Sequence, residues 1–381
     1  MITAFSHGRI LTVQGLATGH SVLSENGRIV GVIADDAVPR DATRIDLGGN
    51  ILMPGFIDVQ VNGGGGVLFN DTPTVEGLST IAQAHAAFGT TGLMPTIIST
   101  DIASIGKAIA AVDEAISKSV PGILGIHIEG PYLSPKRRGI HNPSVFPKLD
   151  AEAVRILSSL QHGKTMVTLA PDAVSLAAVA ALVEAGVIVC IGHSDASYDE
   201  TKAVLNAGAR GFTHLFNAMS PLQTRSPGVV GAALDDSASW CGLITDGHHV
   251  HPAAVRVAYA CRGADKLMLV TDAMPPVGST QTSFTLQGRT MRVEDGLCLG
   301  PDGTLAGSAT DMATVVRKGM EFLKITDVST AAKLSSGNAA AFLGLSGEVG
   351  TITAGARADF VLIDDAFALR QVFIGGAVHH A

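Results

Sequence analysis

The sequence predicts an α/β protein: a (β/α)8 TIM-like barrel carrying a small discontinuous β-sandwich built from both chain ends. Three observations predict it. From Pro54 onward, apolar strand-like runs alternate with helix-length, alanine-rich segments. Eight such units in about 220 residues suit a closed parallel barrel with helices outside. Four of the runs stop abruptly on a side chain that can bind metal or carry a proton: Glu129, His193, His214 and Asp272. Finally, the stretches before Pro54 and after residue 344 share a short, glycine-punctuated β texture, so they are expected to pack on each other.

Taken in order, residues 1–53 form the first part of the sandwich, with turns at Asn26-Gly27 and Gly48-Gly49-Asn50 and strands such as 28–33 and 44–47. Residues 54–344 form the barrel. Its strand candidates are 55–61, 92–98, 122–128, 165–170, 187–192, 211–214, 241–245 and 267–271. Helical patterns lie between them at 75–88, 102–118, 151–161, 175–185 and 198–206. After the eighth strand, 277–304 returns to β texture and reads as a hairpin insertion. Helical segments follow at 311–323, 329–334 and 338–343, and residues 345–381 complete the sandwich.

Composition narrows the function. With 46% hydrophobic and 16% charged residues, the 381-residue chain is expected to bury a large core rather than stay disordered. A net charge of −8 argues against nucleic acid or an anionic membrane as partner. No apolar run approaches the roughly 18 residues of a membrane helix, and the first residues lack a secretory pattern. The four cysteines, Cys190, Cys241, Cys261 and Cys298, have no CxxC spacing, which suggests reduced thiols in a cytoplasmic protein.

The strand ends carry the chemistry. Catalytic groups of a barrel sit where its strands run out, and a carboxylate there is costly unless paired or bound to metal. Glu129, His193 and His214 form a two-imidazole, one-carboxylate set that leaves room for water on a divalent ion. Asp272 is placed to act as general base and then acid. Asp58, buried by pattern, is expected to orient a ligand. Gln60 and Asn62 are neutral amides, poor ligands that either support the site or hold a weak second ion. The run Gly63–Gly66 lacks a following Gly-Lys-Ser/Thr and reads as a barrel loop. The run Lys136-Arg137-Arg138 reads as a solvated loop face.

Pro54-Gly55-Phe56-Ile57-Asp58, Asp272 and the Gly-x-Ile-x-x-Gly-x-x-Ala-Asp tail resemble the amidohydrolase superfamily. Residues 127–133, 136–142, 192–194, 213–219 and 246–250 resemble, within it, the N-acetylglucosamine-6-phosphate deacetylases. The resemblance implies one divalent metal ion, zinc first, with iron or others able to use the same ligand set. It implies that Glu129, His193 and His214 hold this ion, that Asp272 activates water, and that His141 polarises the acetamide carbonyl. It implies that Asn217, Ala218, Arg225 and His249 contact the sugar phosphate, and that Ile140 and the Leu305-Ala306-Gly307 turn line the sugar pocket. It implies a homodimer with Arg225 and His249 contributed across the interface, acting in amino-sugar catabolism and cell-wall recycling. Many members of the superfamily carry His-x-His on the first strand. Gln60-Val61-Asn62 stands there, so a single tightly held metal is expected.

Overall fold

The computed structural model describes residues 1–379. Eight parallel strands pair in sequence order. They are β1 (Phe56–Val61), β2 (Thr90–Ile98), β3 (Gly125–Glu129), β4 (Lys164–Leu169), β5 (Ile188–Ile191), β6 (Gly211–Phe212), β7 (Trp240–Leu243) and β8 (Leu267–Leu269). β1, β2, β3 and β5 are buried along their whole length, as a sheet covered on both faces requires. The seam between β8 and β1 is closed beyond the end of the β8 ladder. There Val61 bridges Ala273, and the Asn62 and Gly63 amides donate to the Ala273 carbonyl at 2.8 and 3.1 Å. Close backbone approach explains one glycine inside the sheet: a Cβ on Gly125 would lie 1.9 Å from the Lys164 carbonyl oxygen.

The outer helices start where the sequence offers caps. Thr74, Asp101, Asp150, Ser175 and Ser197 each accept a hydrogen bond from a first-turn amide, opening helices at Val75–Ala86, Ile102–Ser117, Ala151–Leu157, Leu176–Glu184 and Tyr198–Asn206. Two further helices, Gly228–Asp235 and Pro252–Arg262, precede β7 and β8. The apolar faces of this ring and the outward side chains of the strands form one continuous core. At the barrel base, Phe342 packs into a second cluster, and Asn338 Nδ2 donates to the carbonyls of Ala264 and Leu267 at 2.7 and 2.6 Å. The segments expected as two helices at 329–334 and 338–343 are joined by a wide turn, Lys333–Gly337, into one helical run.

The chain ends make the sandwich. One sheet has four strands from residues 3–46. The other has six, in which Ile51–Pro54 pairs antiparallel with Phe360–Ile363. Phe5 meets Phe360 and Phe373 edge-on between the sheets, at 5.2 and 5.0 Å. The expected hairpin at 277–304 is instead part of a four-stranded antiparallel sheet, Ser283–Leu286, Arg289–Glu294, Leu297–Leu299 and Leu305–Ser308. Its apolar side chains bury against Leu68, Ile98 and Met274 at the mouth of the barrel. No helix among the described residues is long and apolar enough to cross a membrane.

Candidate active site

The strands end early because the residues that follow leave extended geometry. His193, His214 and Asp272 have φ of 48°, 33° and 53°, and Phe216 and Ala218 follow at 80° and 50°. The left-handed region is unfavourable for such residues, and its clustering here marks a site whose backbone is held by its surroundings. The ladders therefore stop at Ile191, Phe212 and Leu269, two or three residues short of the functional side chains. Glu129 is the last residue of β3 itself.

These turns bring three donors together. Glu129 Oε1 lies 3.1 Å from His193 Nε2 and 2.9 Å from His214 Nε2, and the two nitrogens are 3.0 Å apart. All three residues are buried. His193 Nδ1 lies 2.9 Å from the Arg137 carbonyl, which can only accept, so the ring proton sits on Nδ1 and the Nε2 lone pair faces inward. Lone pairs converging at this distance repel unless a cation lies among them, so the set fits a divalent metal. Burial pushes the Glu129 carboxyl upward, but hydrogen bonds and charge from His193 and His214 hold it well below the usual range. Burial pulls His214 down and Glu129 more than reverses it, so its imidazole is raised.

Asp272 sits beside this cluster. Burial and the Glu129 charge push its carboxyl up to about 6. Asn62 Nδ2 and Gln60 Nε2 both donate to Asp272 Oδ1, at 2.7 and 3.0 Å, and Gln60 also faces both Glu129 oxygens at 3.4 Å. Gln60 thus bridges the two carboxylates, and Asn62 adds a second hydrogen bond to Asp272. Asp58, expected to orient a ligand, instead accepts from Thr271 Oγ1 at 2.5 Å and from the Gln60 and Thr271 amides. It fixes the backbone that presents Asp272. Burial pushes Asp58 up to about 7.

His141 stacks edge-on against His193, centroids 4.5 Å apart, and burial pulls its imidazole down to about 3. Glu129, His193, His214, Asp272, His141, Asn62, Ile140, Asn217, Ala218, His249, Leu305, Ala306 and Gly307 line one cavity of about 370 Å³.

Two expectations need correction. His249 was expected from a neighbouring subunit, but it lines this chain's own cavity, its Nδ1 2.6 Å from Asp246 Oδ2. Asp246, three residues beyond β7, also accepts from the His248 and His249 amides, which ties the turn that carries the ring. Lys136 and Arg137 are not simply a solvated face: they line the cavity wall and pair with Asp195 at 3.2 and 2.9 Å. Asp195, two residues beyond His193, was the available signal. Arg225 lies outside the cavity and is exposed. The run Gly63–Gly66 opens a small hairpin, Gly63–Gly64 with Val67–Leu68, against buried His85.

The chain is 40% identical over 373 residues to an N-acetylgalactosamine-6-phosphate deacetylase of Shewanella sp. (strain ANA-3), covering 97% of this chain and 93% of that protein. It superposes on N-acetylglucosamine-6-phosphate deacetylase from Pasteurella multocida with a TM-score of 0.95 and 32% identity, covering 99% of each chain. A Mycobacterium smegmatis N-acetyl-D-glucosamine-6-phosphate deacetylase mutant, solved with N-acetyl-D-glucosamine-6-phosphate, gives a TM-score of 0.91 at 32% identity over the whole of both chains. The amidohydrolase family profile matches residues 51–378, and the chain belongs to the amidohydrolase family.

Proposed function

We propose that this chain hydrolyses the acetamide of N-acetyl-D-glucosamine 6-phosphate to D-glucosamine 6-phosphate and acetate, in amino-sugar catabolism and cell-wall recycling. The observation that carries the reading is the meeting of Glu129, His193 and His214 beside Asp272 and His141 in one cavity. Glu129, His193 and His214 would hold one divalent ion, zinc in this reading. Such an ion polarises the carbonyl and acidifies water. Asp272 takes a proton from the attacking water and returns it to the nitrogen as the C–N bond breaks. Oδ1 is held by two amides, so Oδ2 is the oxygen left for this transfer. His141 donates to the carbonyl oxygen as negative charge gathers there.

His249, with Asn217 and Ala218, forms the phosphate end of the cavity, and Ile140 and Leu305–Gly307 its sugar wall. Arg225 completes the phosphate site from the second subunit of a homodimer. An apolar groove near it, lined by Phe216, Met219, Leu222 and Val257, supports that assembly. The same reading divides the chain at 53/54 and 344/345. It places the chain in the cytoplasm, consistent with four unpaired thiols.

A second reading rests on two relatives named for the galacto epimer, the Shewanella protein and one of Escherichia coli O157:H7 at 34% identity. Turnover of the two epimeric N-acetylhexosamine 6-phosphates and of their unphosphorylated forms by wild type, Arg225→Ala and His249→Ala tests both. The reading expects the variants to lose preference for phosphorylated over unphosphorylated sugar. Unchanged preference would remove the phosphate assignment, and a strong galacto preference would favour the second reading.

A further inference from the structure

We propose that Ser99 is a positioning residue that sets the tautomer of His141, and that Gln287 of the inserted sheet holds Ser99 for that task. The inference rests on the catalytic role read for His141. Ser99 lies immediately beyond β2 and is 2% exposed. Its amide N–H is 3.4 Å from His141 Nδ1, and its Oγ is 2.7 Å from the same nitrogen. A backbone N–H can only donate, so Nδ1 is the accepting nitrogen and the neutral ring carries its proton on Nε2. That leaves Nε2–H as the ring's one donor, on the edge turned away from Ser99. A carbonyl oxygen gaining negative charge needs such a donor.

The serine is held from both sides. Asn70 pairs with Ile98 through both groups of the preceding residue, at 2.9 and 3.0 Å. Gln287 Nε2 donates to the Ser99 carbonyl at 2.8 Å, from a turn 188 residues away in sequence. This turn joins Ser283–Leu286 to Arg289–Glu294, and Gln287 itself has φ of 50°. A Cβ on Gly130 would come within 2.3 Å of Ser99 Oγ, so glycine there leaves room for the hydroxyl. The inserted sheet, on this account, reaches back across the barrel mouth to steady the group that faces the acetamide.

The test is ¹⁵N imidazole NMR of zinc-loaded protein, with His141→Asn assigning the resonances, beside kcat and KM on N-acetylglucosamine 6-phosphate. Wild type is expected to show Nδ1 unprotonated and Nε2 protonated. Ser99→Ala keeps only the long 3.4 Å amide contact and loses the 2.7 Å hydroxyl, so it should let the tautomers mix and lower kcat by about ten- to a hundredfold, with KM within about twofold. Ser99→Thr should restore both. Gln287→Ala should move both readouts the same way by less, and it decides the matter if Ser99→Ala does not fold. An Nδ1-protonated ring in wild type would overturn the proposal, as would variants that leave tautomer and kcat unchanged. Full turnover by His141→Asn would instead remove the catalytic role read for His141, which the tautomer measurement does not depend on.

Discussion

Asn62 Nδ2 lies 2.7 Å from Asp272 Oδ1, joining the first strand of the barrel to the end of the eighth. With Gln60 on the same oxygen, the carboxylate has one held and one free edge. Replacing Asp272 by Asn keeps the shape and removes the carboxylate proposed to carry the proton. Turnover should fall at least about a hundredfold, with metal content by elemental analysis unchanged. Normal turnover would exclude Asp272 as the base.

The pH profile carries the same assignment. Asp272 must be ionised to accept a proton, and burial with the Glu129 charge places its carboxyl at about 6. Activity should therefore fall as pH drops through about 6, or lower where a bound cation favours the carboxylate. A flat profile down to pH 4 would contradict this.

Asp58 gives a stability prediction of opposite sign to an ordinary salt-bridged aspartate. Burial raises its folded-state value to about 7, well above that of an exposed aspartate. The folded state thus binds this proton more tightly. Its contribution is fully present below about pH 4 and lost as pH rises through about 7. Asp58→Asn should flatten the decline between pH 4 and 7 by on the order of 2–4 kcal/mol, read from urea midpoints of both proteins. Parallel curves would show that Asp58 does not titrate in this window.

Chelation should release one ion per chain and abolish activity, and zinc should restore it. Glu129→Gln should lose the ion because its donor set loses its negative charge. Two equivalent tightly held ions per chain would contradict the role given to Gln60 and Asn62 as hydrogen-bond donors.

Phe5 joins both ends of the chain through Phe360 and Phe373. Phe5→Ala should cost about 3–5 kcal/mol by denaturant titration. A cost below about 1 kcal/mol would show that the two ends do not depend on each other.

Much of this was legible in the sequence because function interrupts a pattern. Glu129, His193, His214 and Asp272 each break an apolar run, and the fold brings all four to one mouth. The ladder ends were less legible, since the left-handed turns at His193, His214 and Asp272 arise from tertiary constraint, not local propensity. Short half-exposed strands hid the four-stranded insertion behind a hairpin pattern. His249 could not be assigned to one subunit by spacing, because its direction depends on the turn that Asp246 ties. Ser99 and Gln287 gave no signal, as their contact spans 188 residues.

The most direct measurement is acetate release from N-acetylglucosamine 6-phosphate and from unphosphorylated N-acetylglucosamine, with zinc-loaded and chelated protein. Rapid release is expected from the phosphorylated sugar alone, and only with metal. Release that survives chelation, or silence on both sugars with metal bound, would contradict it.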